Sequence, residues 1–162
     1  MPLPRSLLRL TPEELDELLT SERTLRLATV NPDGTPHIAP LWFLWRDGAI
    51  WLTSLRRSRR QSDITAGSKV ALCVDAGTDY WELRGAVLYG TPVEAADDPD
   101  LPEARKAFAQ KNWGIDDLPD TKSHVWLKIV PDKIVSWDFK KIPAAGDPRL
   151  KYGPKPPESA ST

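Results

Sequence analysis

Hydrophobic and polar residues alternate along much of this chain, which is the pattern of half-buried β-strands. Residues 24–30 and 49–54 alternate in this way, and strands are also predicted in residues 69–76 and 80–95. Residues 124–139 are predicted to form two strands around a tight turn. Turn signals rich in Asp, Gly and Pro occupy residues 31–34 and 46–48. Residues 35–45 between these turns are apolar and extended. Pro36 and Pro40 indicate that they do not form a regular central strand throughout.

Three segments have helical rather than alternating patterns. Thr11 is a predicted N-cap, with Pro12 at the first helical position and Glu14 placed to complete a capping box. A second helix is predicted over residues 58–64, closed by Gly67. A third is predicted within residues 98–114, ending near Gly114.

The order of these elements predicts a mainly β fold. Six or seven short strands, mostly linked as hairpins, favour an antiparallel sheet or barrel with helices packed outside it. Residues 1–142 are therefore predicted to form one domain. Residues 143–162 contain five of the sixteen prolines and no apolar periodicity, so they are predicted to be a disordered tail.

Length and composition narrow the possible functions. The chain has 162 residues, with 22 Lys and Arg against 23 Asp and Glu, a balance that argues against a general nucleic-acid binder. Its single cysteine, Cys73, allows no internal disulfide and makes a cysteine-based metal site improbable. No signal peptide or long apolar run is evident, so we expect a cytoplasmic protein without a membrane span.

Basic charge is concentrated in one short stretch of the chain. Arginine occupies four of the five positions 56–60, the exception being Ser58. Thr53 and Ser54 end the preceding predicted strand, and Ser58 begins a predicted helix. Hydroxyl groups, guanidinium groups and a helix N-terminus together favour a phosphate site. The alternative is an ordinary solvated charged surface.

Other candidate motifs are weak. Gly85 and Gly90 have the spacing of a P-loop, but Thr91 and Pro92 stand where its Lys and Ser/Thr are required. The only histidines, His37 and His124, have no carboxylate at metal-ligand spacing, so no metal site is predicted. No pairing of a nucleophile with a base is evident, and the sequence identifies no catalytic residue.

Four motifs follow one another along the chain: LATVNPDGTPHIAPLWFLWRDGAIWLTS, SRRQSDI, KVALCVDAGTDYWELRG and, near the end, WDFKK. Their order resembles the pyridoxamine 5'-phosphate oxidase-like family of flavin-binding split barrels, including its deazaflavin branch. The resemblance covers about residues 25–141. It implies a six-stranded antiparallel split β-barrel of the FMN-binding type, which forms a homodimer with the cofactor at the two-fold interface.

The resemblance also implies which residues bind the cofactor. Ser58 and Arg60 match the Ser and Lys of the family's Ser-x-Lys-x-x-Asn phosphate motif. Asp63 replaces the common asparagine and is expected to turn away from the phosphate or to pair with an arginine. Trp81 or Trp126 is a candidate contribution from the second subunit. The implied cofactor-binding residues are His37, Ile38, Ala39, Pro40, Leu41, Thr53, Ser54, Ser58, Arg59, Arg60 and Gln61.

The implied activity is that of an oxidoreductase that uses FMN or the deazaflavin coenzyme F420 to transfer a hydride to or from a small organic substrate. The sequence does not separate the two cofactors. Arg56 and Arg57 suit the oligoglutamate tail of F420, but FMN binders share the other elements. The alternative is a non-catalytic flavin- or haem-binding carrier, in which His37 or His124 is the haem ligand. Single-stranded nucleic acid binding is disfavoured by the acidic pI of about 6.1.

Overall fold

The computed structural model describes residues 5–142, and the predicted tail lies outside this range. Within it, nine strands and three α-helices follow one another, together with short 3₁₀ turns. The strands are β1 (Thr24–Val30), β2 (Pro36–Trp42), β3 (Leu44–Arg46), β4 (Ala49–Leu55), β5 (Val70–Ala76), β6 (Arg84–Gly90), β7 (Val93–Glu94), β8 (His124–Ile129) and β9 (Lys133–Asp138). The helices are α1 (Pro12–Ser21), α2 (Arg59–Thr65) and α3 (Leu101–Trp113).

The strands form two antiparallel sheets, which confirms the predicted fold class. One sheet has the order β2-β1-β5-β6-β9 and the other β3-β4-β8-β7. The strand count exceeds the predicted number because residues 35–45 divide into β2 and β3, and residues 80–95 contain β6 and β7. The two strands predicted in residues 124–139 are present, but β8 and β9 belong to different sheets.

The inner faces of both sheets enclose the main hydrophobic core. Leu27, Leu72 and Leu88 form a row across β1, β5 and β6, and all three side chains are fully buried. Leu52 and Leu127 pair across β4 and β8 and are also fully buried. The alternation of apolar and polar residues that predicted the strands therefore arises because one face of each sheet packs against this core.

Local signals correctly predicted the helix ends. Thr11 Oγ1 accepts a hydrogen bond from the Glu14 backbone N–H at 3.2 Å. In return, the Thr11 backbone N–H donates to Glu14 Oε2 at 2.7 Å. Gly114 ends α3 with a φ of 68°, a left-handed conformation that glycine adopts without steric cost.

Among residues 5–142, no helix is long and apolar enough to cross a membrane. The same residues contain no group of three or more His, Cys, Asp or Glu side chains placed to hold a metal ion.

A buried hydrogen bond joins α2 to the first sheet. The hydroxyl group of Thr29, on β1, donates to Asp63 Oδ2, on α2, at 2.6 Å, and both residues are buried. Asp63 therefore turns away from the arginine stretch, which is one of the two expectations for this residue. This bond fixes the position of α2, and hence of the arginine-rich segment that leads into it.

Thr29→Val is expected to lower the free energy of unfolding by about 1–3 kcal/mol, because the buried Asp63 carboxylate then loses its donor. Asp63→Asn is the matched control and should cost less, since asparagine retains an acceptor oxygen for Thr29 and has no buried charge. Urea denaturation of both variants measures the difference. Equal stability of Thr29→Val and the wild type would show that this bond does not anchor α2.

A partly buried lysine lies where α3 meets α1. Lys111 Nζ donates to the Leu19 carbonyl oxygen at 3.3 Å and lies 4.3 Å from the centre of the Phe43 ring. Burial lowers the pKa of Lys111 to about 8, despite the opposing effect of nearby Glu22. The charged ammonium is thus less favourable in the folded protein than in the unfolded chain.

The contribution of Lys111 to the free energy of unfolding should therefore rise as pH increases from about 8 towards the ordinary lysine pKa of 10.5. In that range Lys111 binds more protons in the unfolded chain than in the folded protein. Lys111→Met removes the titration. We expect the stability of Lys111→Met relative to wild type to be higher at pH 7 than at pH 10. Denaturation at both pH values tests this, and a pH-independent difference would contradict it.

Candidate functional site

Three polar side chains form a hydrogen-bonded cluster where β4 leads into α2. Arg60 Nε donates to Ser54 Oγ at 3.2 Å, and the hydroxyl oxygens of Ser54 and Ser58 are 3.4 Å apart. We call Ser54, Ser58 and Arg60 the arginine corner. Ser54 is fully buried, and burial lowers the pKa of the Arg60 guanidinium from its very high ordinary value. Arginine nevertheless stays charged at neutral pH, so the corner is positively charged.

The N-terminus of α2 contributes less positive charge to the arginine corner than the sequence suggested. Ser58 is the N-cap, and its hydroxyl oxygen accepts the Gln61 backbone N–H at 3.3 Å. The helix itself has only seven residues, so its dipole is small. The charge available to an anion here therefore comes mainly from guanidinium groups.

The side chains of Arg59 and Gln61, the neighbours of Arg60 in sequence, do not join the arginine corner. Arg59 is exposed to solvent. Gln61 is only 5% exposed, and its Nε2 donates to Glu94 Oε1 at 3.3 Å. Among the described residues, Gln61 Oε1 has no hydrogen-bond partner. The side chains of Arg59 and Gln61, both predicted to bind the cofactor, thus lie outside the hydrogen-bonded cluster.

A second group of basic side chains lies next to the arginine corner. Arg56, Arg57 and Lys122 line a groove of about 600 Å³, together with Leu55, Ser58 and Ser123. We call this the basic groove. The Arg56 backbone N–H donates to the Ser123 carbonyl at 2.9 Å, and Arg56 Nε donates to the Lys122 carbonyl at 3.2 Å. These bonds hold the two sides of the groove together.

A cleft of about 420 Å³ lies beside Thr53, the residue before Ser54. It brings together Pro40, Leu41 and Thr53, three of the predicted residues from β2 and β4. We call it the β2–α3 cleft. Its full lining is Thr24, Pro40, Leu41, Trp42, Thr53, Phe108 and Trp113.

The remaining predicted residues lie further along β2. His37, Ile38 and Ala39 do not line the β2–α3 cleft, and Ile38 is 65% exposed. β2 is an edge strand that pairs only with β1, which suits the prolines at positions 36 and 40 because they cannot donate to a second neighbour.

Aromatic residues that the sequence did not single out form one wall of this cleft. Trp42 and Trp113 stand edge to face with ring centres 4.9 Å apart, and the Arg23 guanidinium lies 4.6 Å from the Trp42 ring. Trp113 comes from the last turn of α3, far from β2 in sequence. The only local signal in the sequence for the placement of Trp113 was its position directly before Gly114, which ends the helix.

The two tryptophans considered for a second subunit have different environments. Trp81 is buried within its own chain, where its ring stands edge to face with Tyr80. Trp126 is partly exposed and lines a smaller cleft next to Thr53. Of the two, only Trp126 has an indole at an open surface of this chain.

Solved structures similar to this one share its fold. A conserved hypothetical protein from Mycobacterium tuberculosis has a TM-score of 0.74 and 24% identity, covering 86% of this chain and 93% of that one. An FAD-binding protein from Mycobacterium smegmatis has a TM-score of 0.62 and 22% identity, covering 79% and 95%. An F420 reductase has a TM-score of 0.58 and 22% identity, covering 76% and 98%.

No curated protein matches the chain. The family model described as pyridoxamine 5'-phosphate oxidase, in contrast, matches residues 11–138, which include both sheets and all three helices. The resemblance inferred from the motifs is thereby confirmed. The chain belongs to the pyridoxamine 5'-phosphate oxidase family and has its split-barrel fold.

Proposed function

We propose that this protein is an oxidoreductase that binds a flavin-type cofactor, FMN or F420. The observation that carries the proposal is the placement of Thr53 and Ser54 on β4. Thr53 faces the β2–α3 cleft, whereas Ser54 joins the arginine corner. A polar anion site and an aromatic-walled cleft are therefore one residue apart, as a molecule with a flat ring system and a phosphate requires.

The donors in the arginine corner fit a phosphate group. A guanidinium group has five N–H donors, and within residues 5–142 the Arg60 side chain uses one of them, on Ser54. The hydroxyl group of the partly buried Ser58 can rotate to donate to the same anion, while the fully buried Ser54 accepts from Arg60 and holds the guanidinium in place. No catalytic acid or base is assigned, since the bound cofactor would supply the hydride chemistry and the protein would bind and orient it.

The basic groove bears on the choice between the two cofactors. FMN ends at its phosphate, whereas F420 continues into an anionic oligoglutamate tail. Arg56, Arg57 and Lys122 provide positive charge beyond the arginine corner, in a groove of about 600 Å³. This arrangement favours F420, and FMN is the other cofactor to be compared with it.

The outer face of the five-stranded sheet supports a homodimer. Val30, Ile38, Tyr89 and Val135 are apolar or aromatic side chains that are at least 39% exposed on its strands. Contiguous exposed apolar surface commonly marks a site of association. We infer that a second copy of the chain covers this face, as the family's two-fold arrangement implies.

The double variant Ser58→Ala, Arg60→Ala is expected to weaken the binding of FMN or F420 by tens-fold or more, at about 1.4 kcal/mol for each factor of ten. The reason is the loss of charge-assisted hydrogen bonds to the phosphate. Isothermal titration with each cofactor measures the change. Arg46→Ala is the control, since it removes the same charge at the turn before the other end of β4. Unchanged affinity in the double variant would refute the phosphate assignment.

Native mass spectrometry should show a dimer that carries two molecules of one cofactor when FMN and F420 are offered separately. Two cofactors per dimer are expected because each chain contributes one arginine corner. A monomer that binds neither would contradict both the dimer and the cofactor proposals. A dimer that binds cofactor but turns over none of a panel of oxidants would instead support a carrier.

A further inference from the structure

A second cleft adjoins the β2–α3 cleft, and most of its lining residues take no part in the cofactor contacts proposed above. Its volume is about 190 Å³, and two of its lining residues, Thr53 and Trp113, also line the larger cleft. The two clefts are therefore neighbouring compartments that share these two side chains. We call the smaller one the indole cleft, because Trp113 and Trp126 both line it.

The walls of the indole cleft are flat and firmly supported. Phe108 is almost fully buried and contacts both indoles, with ring centres 5.2 Å from Trp126 and 5.7 Å from Trp113. The Phe108 ring stands edge to face with Trp126 and is tilted by 46° against Trp113, and both contacts restrict the orientations of the indoles. Flat aromatic walls favour a flat occupant, and the small volume limits it to about one ring, since sites for larger ligands have about 300–1,000 Å³.

Most of the remaining lining comes from the loop of residues 114–123, which a double hydrogen bond holds against α3. Arg105 Nε and a terminal nitrogen of Arg105 each donate to Asp117 at 2.8 Å. Asp117 Oδ1 also accepts the Leu118 backbone N–H at 2.8 Å. Leu118, which lines the cleft, is thus held in place, and the cleft does not depend on a ligand to form it.

Charge is divided between the two sides of this loop. Asp120 lines the indole cleft, whereas Lys122, the only basic residue among positions 114–123, lines the basic groove instead. His124 also lines the cleft, and its Nδ1 lies 3.0 Å from the hydroxyl oxygens of both Thr121 and Ser123. The indole cleft therefore combines two indole side chains with the side chain of Asp120, which also interacts electrostatically with Arg105.

We propose that the indole cleft binds the substrate through a planar aromatic ring that has a positive charge or N–H donors. Indole faces attract cations, and a nearby carboxylate adds to that attraction. The shared residues Thr53 and Trp113 place such a ring next to the compartment assigned to the cofactor. The description of the occupant as the substrate rests on the proposed oxidoreductase function, but the preference for a cationic ring does not.

Three probes of one shape test the preference: benzamidine is a cation, benzamide is neutral and benzoate is an anion. Isothermal titration into the full-length protein, without and then with saturating cofactor, should give the order benzamidine, benzamide, benzoate from tightest to weakest. Benzamidine is expected to bind about tenfold more tightly than benzamide, in line with a cation–π contact aided by one carboxylate. Equal affinities, or tightest binding of benzoate, would overturn the proposal.

Two variants locate the binding. Asp120→Asn should remove most of the difference in affinity between benzamidine and benzamide. Asp116→Asn is the control and should keep that difference, because Asp116 lies in the same loop but does not line the cleft. Trp113→Ala should weaken all three probes; its side chain is 51% exposed, so the fold should tolerate the change. Equal effects of the two aspartate variants, or no effect of Trp113→Ala, would place the probes elsewhere.

The experiment separates this inference from the proposed function. If neither cofactor binds but the probe order holds, the cleft is a site for cationic rings and the oxidoreductase proposal fails. If a cofactor binds but the three probes do not differ, the proposed function stands and the cationic-ring inference fails.

Discussion

The buried bond between Thr29 and Asp63 is the constraint on which the candidate site depends. A carboxylate in a protein interior is unfavourable unless it is hydrogen-bonded, so the orientation of α2 that satisfies Asp63 is strongly preferred over others. The Ser58 cap and the Arg60 side chain are on the same short helix or directly before it. Their contacts with Ser54 therefore depend on an interaction that the same helix makes with β1.

The two-residue period of a β-strand then divides the site into a polar and an aromatic part. Successive side chains of β4 point to opposite faces. Ser54 faces inward and meets the arginine corner, whereas Thr53 faces outward towards α3 and its tryptophan. The geometry of the strand therefore places the arginine corner and the aromatic-walled cleft on opposite faces of β4, one residue apart.

Local signals predicted much of the fold. The capping box at Thr11, the glycine after α3 and the alternation of β1 each depend on residues close in sequence, and all are present as expected. The family motifs added Ser58 and Arg60, and the side chains of both contact Ser54. The pairing of Asp63 with Thr29 required contact between residues 34 positions apart, so the sequence offered only the alternatives of turning away or pairing with an arginine.

Features that depend on tertiary contacts could not be read from the sequence. Gln61 looks like its polar neighbours, but it is buried and donates a hydrogen bond to Glu94 of β7. The wall formed by Trp42 and Trp113 joins an edge strand to the end of a distant helix. The assignment of β8 and β9 to different sheets likewise depends on partners far away in the chain, since the short connection between them resembles an ordinary hairpin turn.

The clamp between Arg105 and Asp117 has a consequence for how this protein can change over evolutionary time. The loop of residues 114–123 is attached to α3 by that ion pair and contributes no residue to either hydrophobic core cluster as a fully buried member. Substitutions between the clamp and β8 can therefore accumulate with little effect on folding. A lineage that keeps Arg105 and Asp117 can exchange the side chains of residues 119–123, and so acquire new specificities on an unchanged barrel.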